Sequence, residues 1–260
     1  MIPVNSMIWM AVGAVVGIGV PVLLAWWLVK KYGLNWKTVG IGAAVFVVFA
    51  LVLEPIVHQL VLKGPNGPAI QGNVWLYALY GGCMAALFEE TGRFIGMKWL
   101  LKDQPSGARS GVGYGIGHGG AEMILVYGFT MISNLALSAL INTGQADTLL
   151  AGVPAESQGQ VQAQFAALES LGAGSILLGL WERASALILQ LGLSLIVWTA
   201  VRRGGKWLWL LAAAYLLHFL ADATVVVLAK SVSMLAVEAV VFALAVAVGA
   251  IGWKLATSAK

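Results

Sequence analysis

The chain has 260 residues, 60% of them hydrophobic and only 10% charged, with a mean hydropathy of +0.89. Soluble domains carry roughly 45–50% apolar and about 25% charged residues, so this composition excludes a water-soluble globular fold and leaves an integral membrane protein. The formal net charge of +4 does not mark a nucleic-acid binder, because the basic residues fall in short clusters between apolar runs.

Lipid gives the backbone no hydrogen-bond partners, which restricts spanning structure to helices or a closed barrel. The apolar runs here are continuous rather than alternating, and they predict an all-α, polytopic helix bundle forming one integral-membrane domain over residues 1–260. At about 20 residues per span, about seven transmembrane helices follow in chain order: 7–29, 38–62, 74–97, 111–134, 174–200, 207–229 and 232–253. The first has no basic leading segment and no small-residue cleavage site before Lys30, so it reads as a retained span rather than a signal peptide.

Lys30, Lys31 and Lys37 lie in the first connection, Lys98, Lys102 and Arg109 in the third, Arg202, Arg203 and Lys206 in the fifth, and Lys254 and Lys260 at the C-terminus. The other side receives only Lys63 and Lys230. Basic loops stay in the cytoplasm, which predicts a multi-pass cell-membrane protein with its N-terminus outside and its C-terminus cytoplasmic. The longest connection, 142–173, is then an external loop without Lys or Arg, carrying Asp147, Glu156 and Glu169. Within it Val161, Phe165 and Leu168 recur at helical spacing and predict a short amphipathic helix at the interface. The single cysteine, Cys83, excludes an intramolecular disulfide and any multi-cysteine metal site.

Ionisable residues inside spans cost at least about 2.5–3.5 kcal/mol each at the bilayer centre, so each needs a partner or a task. They cluster here. The third span carries Glu89, Glu90 and Arg93, the fourth His118 and Glu122, the fifth Glu182 and Arg183, and the sixth His218 and Asp222. At 1.5 Å per residue, Glu89 lies roughly 24 Å below the outer face, His118 about 10 Å, Glu122 and His218 about 16 Å and Asp222 about 22 Å above the inner one. Separate helices thus present acids and imidazoles at overlapping depths, with Glu182 and Arg183 higher, about 12 Å from the outer face. His118 and Glu122, His218 and Asp222, and Glu89 and Arg93 are all i, i+4 pairs that share a helix face, while Glu90 points about 100° away from Glu89. Arg93 is expected to pair with one glutamate and leave the other for chemistry; a buried ion-pair network that only fixes helix register is the plainer alternative. Glu54 and His58, also i, i+4, fall near the outer end of the second span, where interfacial solvation accounts for them. Gly111, Gly113, Gly115, Gly117, Gly119 and Gly120 surround His118 and permit either close helix packing or space for a substrate backbone.

Three motifs carry a family resemblance. EETGR (Glu89 to Arg93), with one residue fewer before its arginine, resembles the EExxxR signature of the CAAX-protease and bacteriocin-processing (CPBP) superfamily of intramembrane proteases, YGIGH (Tyr114 to His118) its aromatic-xxx-His motif, and HFLAD (His218 to Asp222) its HxxxN/D motif. The YhfC-like branch looks closest, and the resemblance covers roughly residues 80–225, within an expected catalytic helix core of 74–229. It implies an intramembrane endopeptidase without a cofactor that acts on membrane-embedded peptide or protein substrates in the lipid bilayer. Glu89 would activate the attacking water, His118 would help orient it, and His218 and Asp222 would stabilise the oxyanion. Glu90, held by Arg93, completes the catalytic set, and Tyr114, Glu122, Glu182 and Arg183 are supporting residues.

Rival readings remain open at this point. Zinc on His118, His218 and a carboxylate would make a metalloprotease with the same residues, although H-E-x-x-H is absent. A proton-coupled transporter would use the acids and imidazoles as a relay, and the recurrence of LFEE and H-x-x-x-E as LWER and H-x-x-x-D fits a parallel repeat. An inactive membrane scaffold is the third. The predicted orientation is checked by cysteine labelling: residues near Gly64 and Ser157 are expected to react from outside, and residues near Gln104 and Gly204 only from inside. The opposite pattern would overturn both the orientation and the depths.

Overall fold

The structure, a computed structural model, describes residues 1–258 and only the backbone of Glu156. Lys260, one of the basic residues expected at the C-terminus, lies outside the described residues. Every regular element among the described residues is helical. In chain order these are α1 (Val4–Tyr32), α2 (Trp36–Phe46), α3 (Glu54–Leu62), α4 (Gly67–Gly72), α5 (Val74–Ile95), α6 (Ala108–Glu122), α7 (Phe129–Asn142), α8 (Ala146–Ala151), α9 (Ala155–Ser170), α10 (Ala173–Arg203), α11 (Trp209–Leu228) and α12 (Met234–Thr257). Wide π-helical turns join α2 to α3 (Val47–Leu53), extend α5 (Gly96–Leu100) and join α6 to α7 (Met123–Gly128).

Among the described residues six helical stretches are long and apolar enough to cross a membrane: Val4–Tyr32, Trp36–Leu62, Ala108–Asn142, Ala173–Arg203, Gly205–Leu228 and Met234–Thr257. The protein is a polytopic helix bundle. The sequence predicts about seven spans; α5, with 22 residues, lies where the third of them is expected but is not among the six, and it carries the acid pair and Arg93. Local chemistry sets the ends. The Asn35 side chain caps α2 by accepting from the Lys37 N–H, Asn73 caps α5 through the N–H groups of Trp75 and Leu76, and Ser233 caps α12. Gly33, at φ +68°, stops α1 in the left-handed conformation that only glycine adopts readily.

The chain forms two compact units. The first comprises Met1–Val20 and Met123–Arg183. Its core joins Ile2, Met10, Ala14, Tyr127, Met131, Leu168 and Ile176, and the Tyr127 hydroxyl donates to the Ile176 carbonyl at 2.8 Å. α9 turns Leu168 into that core and half-buries Val161 and Phe165 along one stripe.

The second unit comprises Pro21–Glu122 and the chain from Ala184 on. Its most extensive pairings are α2 with α6 and α5 with α11. The first is a contact of backbones: an added Cβ would lie 2.0 Å from Thr38 Oγ1 at Gly113, 1.9 Å from the Val39 carbonyl oxygen at Gly117, and 2.2 Å from the Tyr114 carbonyl oxygen at Gly42. Alternate glycines of α6 face α10, where Gly115 meets Leu191 and Gly119 meets Leu187 and Gln190. Close packing thus accounts for most of the glycines around His118. Cys83 is exposed on α5, one residue off the buried face of Ala78, Gly82, Ala86, Glu89 and Arg93.

Gly117→Ala is expected to destabilise the protein by about 1–3 kcal/mol, the range for overpacking a filled core. Gly40→Ala, where an added methyl meets nothing within 4 Å, is expected to be neutral or stabilising by up to about 1 kcal/mol. Thermal melting in detergent checks both.

Candidate active site

The buried face of α5 presents Glu89, Glu90 and Arg93 to the interior of the second unit. Glu90, Arg93 and His118 are wholly buried, while Glu89 keeps 7% exposure. Glu89 Oε2 accepts three hydrogen bonds: from His118 Nε2–H at 2.8 Å, from the Gln190 amide at 3.0 Å and from Arg93 Nη2 at 3.4 Å. Glu90 Oε1 accepts from His218 Nδ1–H at 2.7 Å and from Arg93 Nη1. Arg93 also donates to the Gln190 carbonyl oxygen, and the Gln190 amide donates to Glu122 Oε2 at 2.8 Å. His218 Nε2 lies 3.6 Å from Asp222 Oδ2.

Four helices therefore bring one cluster together: α5 supplies the acids and their cation, α6 His118 and Glu122, α10 Gln190, and α11 His218 with Asp222. Aromatic rings fix the His118 imidazole. Tyr114, one turn earlier on α6, stacks on it at 6.0 Å between centroids, and Phe46, where α2 widens into its π-helical turn, meets it edge-on at 5.1 Å. Arg93 contacts both glutamates rather than one. Glu182 and Arg183 pair with each other and belong to the first unit.

Gln190, a member of the cluster, and Glu54, which lies outside these four helices on α3, were not assigned to the site in the sequence. Gln190 bridges both glutamate-bearing helices, and its only sequence signal is an amide inside an apolar span. Glu54 was expected at a solvated interface, yet it is 9% exposed and interacts electrostatically with Glu89, Asp222 and His218. The π-helical turn Val47–Leu53 ends just before it. His58 donates Nε2–H to Glu54 Oε1 at 3.1 Å and accepts the Tyr80 hydroxyl on Nδ1 at 2.9 Å.

A catalytic zinc needs three or more N or O ligands converging at about 2.0–2.2 Å. Here Nε2 of His118 and Nδ1 of His218 each point at a different carboxylate, and the Arg93 guanidinium lies between those carboxylates. His118 Nδ1 is the imidazole nitrogen left buried without a hydrogen-bond partner, and one such atom does not make a ligand set. Among the described residues no group of three or more His, Cys, Asp or Glu side chains is arranged to hold a metal ion. The donor set as arranged does not fit the ion.

The profile of the family described as YhfC intramembrane metalloprotease matches residues 16–243. The chain is 36% identical over 205 residues to YhfC of Bacillus subtilis (strain 168), described as an uncharacterized membrane protein, covering 78% of each chain. No solved structure matches significantly.

Arg93 is the counter-charge of two buried carboxylates, and breaking a buried pair by removing one partner costs about 3–5 kcal/mol. Arg93→Leu is expected to lower the melting temperature in detergent steeply, and adding Glu90→Gln to it to recover part of the loss. Equal melting of Arg93→Leu and wild type would show that the network carries little stability.

Proposed function

The chain belongs to the YhfC family of intramembrane metalloproteases, and from that premise we propose an endopeptidase that hydrolyses peptide bonds of membrane-associated substrates with Glu89 as the general base. The order of the three motifs supports a place in the wider CPBP superfamily, with the reactive groups carried on residues 74–229. The basic loops support an N-terminus outside and a C-terminus in the cytoplasm.

The observation that carries the reading is the unequal use of the two Glu89 oxygens. Three donors converge on Oε2, which holds the carboxylate in one orientation and leaves Oε1 for the proton of a water molecule. A base must lie within about 2.6–3.2 Å of the proton donor, and a carboxylate fixed by one oxygen meets that demand without reorganising. Glu89 takes a proton from water as the water oxygen bonds to the scissile carbonyl carbon. The electron pair of the carbonyl passes to its oxygen. His218, as the imidazolium, donates Nδ1–H to Glu90 and meets this oxyanion with Nε2–H, the edge of the ring that also faces Asp222 Oδ2 at 3.6 Å. When the oxyanion collapses, the C–N bond breaks and Glu89 returns its proton to the departing amine. His118 acts through Glu89, and Tyr114 and Phe46 act through His118. No step is routed through a metal.

Purified protein is tested on a membrane-peptide library. Glu89→Gln is expected to abolish cleavage in protein that still folds, and His118→Ala to reduce it at least about 10²-fold, the low end for lost acid–base assistance. Activity removed by a chelator and restored by stoichiometric zinc would replace this mechanism with a metal-dependent one.

A further inference from the structure

Three helix ends meet at the basic end of the second unit. α1 ends in Lys30 and Lys31, α12 carries Lys254 in its last turn, and α6 begins at Ala108 followed by Arg109. Between them lies a cavity of about 400 Å³ walled by Trp27, Leu28, Tyr32, Leu34, Val112 and Trp253, with Arg109 at its edge. A second cavity of about 630 Å³ shares Ala108, Arg109 and Trp253 with the first and adds the polar groups of Asn35, Gln104, Ser110 and Thr257. An aromatic and aliphatic slot thus opens beside a polar basin, and Arg109 borders both.

The arginine is what distinguishes this place from ordinary lipid-facing surface. Arg202 donates to the Lys102 carbonyl at 2.9 Å and lies 4.2 Å from the Trp198 ring; Arg203 donates to the Leu255 carbonyl at 3.2 Å and lies 4.2 Å from the Trp207 ring. Both are held by the protein. The Arg109 guanidinium, exposed between the two cavities, donates to no protein group among the described residues. Lys31, which lines neither cavity itself, holds a second cation against two rings of the slot, its Nζ lying 4.8 Å from the Trp27 ring and 5.4 Å from the Tyr32 ring. Gln104 accepts from Asn35 with its carbonyl oxygen at 3.1 Å, which leaves its amide N–H groups as donors in the basin. The first turn of α6 also lines the basin, and a helix amino end favours an anion.

We propose that this double cavity is a binding site for one anionic phospholipid, its phosphate on Arg109, Lys31 and Gln104 and an acyl chain in the slot between Trp27, Tyr32 and Trp253. Depth selects a lipid over a soluble anion. Tryptophans and lysines at helix ends mark the headgroup level of a bilayer, so a phosphate beside Arg109 and a chain running inward past Val112 match how a phospholipid lies there. Charge selects an anionic lipid, because a zwitterionic head would set its own ammonium against Arg109, Lys31 and the amino end of α6. The lipid would tie together α1, α12 and the amino end of the glycine-rich helix that carries His118 nine residues, or about 14 Å, further on. The site is independent of the proposed peptidase chemistry.

Full-length protein, stripped of lipid in detergent, is titrated with dioleoyl-phosphatidylglycerol, with dioleoyl-phosphatidylcholine and with inorganic phosphate, and read by native mass spectrometry and thermal melting. Phosphatidylglycerol is expected to bind one to one and raise the melting temperature, whereas phosphatidylcholine and phosphate do neither. Arg109→Gln, an exposed change that the fold tolerates, is expected to weaken phosphatidylglycerol binding by about tenfold or more, as loss of a charge-assisted phosphate contact should. Val112→Trp, which fills the slot, is expected to remove it. Equal binding of the two lipids, equal protection by phosphate alone, unchanged selectivity in Arg109→Gln, or displacement of phosphatidylglycerol by a peptide ending in an apolar residue and a free carboxylate would each overturn the assignment.

Discussion

A guanidinium with no exposure, set within a membrane protein, is the constraint around which the second unit is arranged. Burying an ion costs several kcal/mol even after relaxation, and only well-placed opposite charges and hydrogen bonds offset it. Arg93 finds its counter-charges on its own helix, one turn back, in Glu89 and Glu90. That solution creates a second problem, since two adjacent carboxylates now lie side by side out of water. One oxygen of each takes donors from other helices, His118 from α6, His218 from α11 and Gln190 from α10, while Glu90 Oε2 stays buried without a hydrogen-bond partner. Once α5 turns its acid face inward, the rotation of three neighbouring helices follows from hydrogen-bond satisfaction alone.

Reaching that arrangement demands close approach. His118 meets Glu89 at 2.8 Å only because α6 can press its backbone against α2 on one side and the side chains of α10 on the other, and the glycines at 113 and 117, then at 115 and 119, supply those two bare faces. The consequence is a helix with poor intrinsic stability, since each interior glycine costs roughly 1 kcal/mol relative to alanine. α6 is therefore helical because of what it packs on. The same logic explains Gly42, whose absent side chain admits the Tyr114 carbonyl oxygen and so fixes the ring that stacks on His118.

Much of this was legible in the sequence, and the reason is that intramembrane charges have few alternatives. Glu89, His118 and His218 could be grouped from depth and i, i+4 spacing alone, because apolar spans make their polar positions conspicuous. The chain pairings were harder to read. Spacing suggested that Arg93 would choose one glutamate, whereas a planar guanidinium with several donors reaches both. Gln190 escaped notice because a single amide in an apolar run carries no charge to betray it. Glu54 escaped because its place near the outer end of the second span allowed solvation at the interface, whereas it is 9% exposed and paired with His58. The division into two compact units was not legible either, since α1 and α10 run through both without a break in composition.

Exposure orders the cluster and bears on how a hydrolytic site inside a membrane is supplied with water. Glu90, Arg93 and His118 are sealed. Glu89 is slightly open, and the side chains of Asp222 and His58 are 40% and 32% exposed. The gradient therefore runs from the α3 and α11 side, where Glu54 and His58 line up with Tyr80, towards the dry side formed by α6 and α10. In the proposed reaction the water meets Glu89 at Oε1, the oxygen that the three donors on Oε2 leave open. A base fixed from behind by a dry hydrogen-bond network and open in front to a narrow polar margin keeps its orientation while its substrate and water exchange. The proposed division of labour between the two glutamates matches their surroundings: Glu90 is sealed and held by Arg93 and His218, while Glu89 keeps slight exposure and takes the base's role in the proposal.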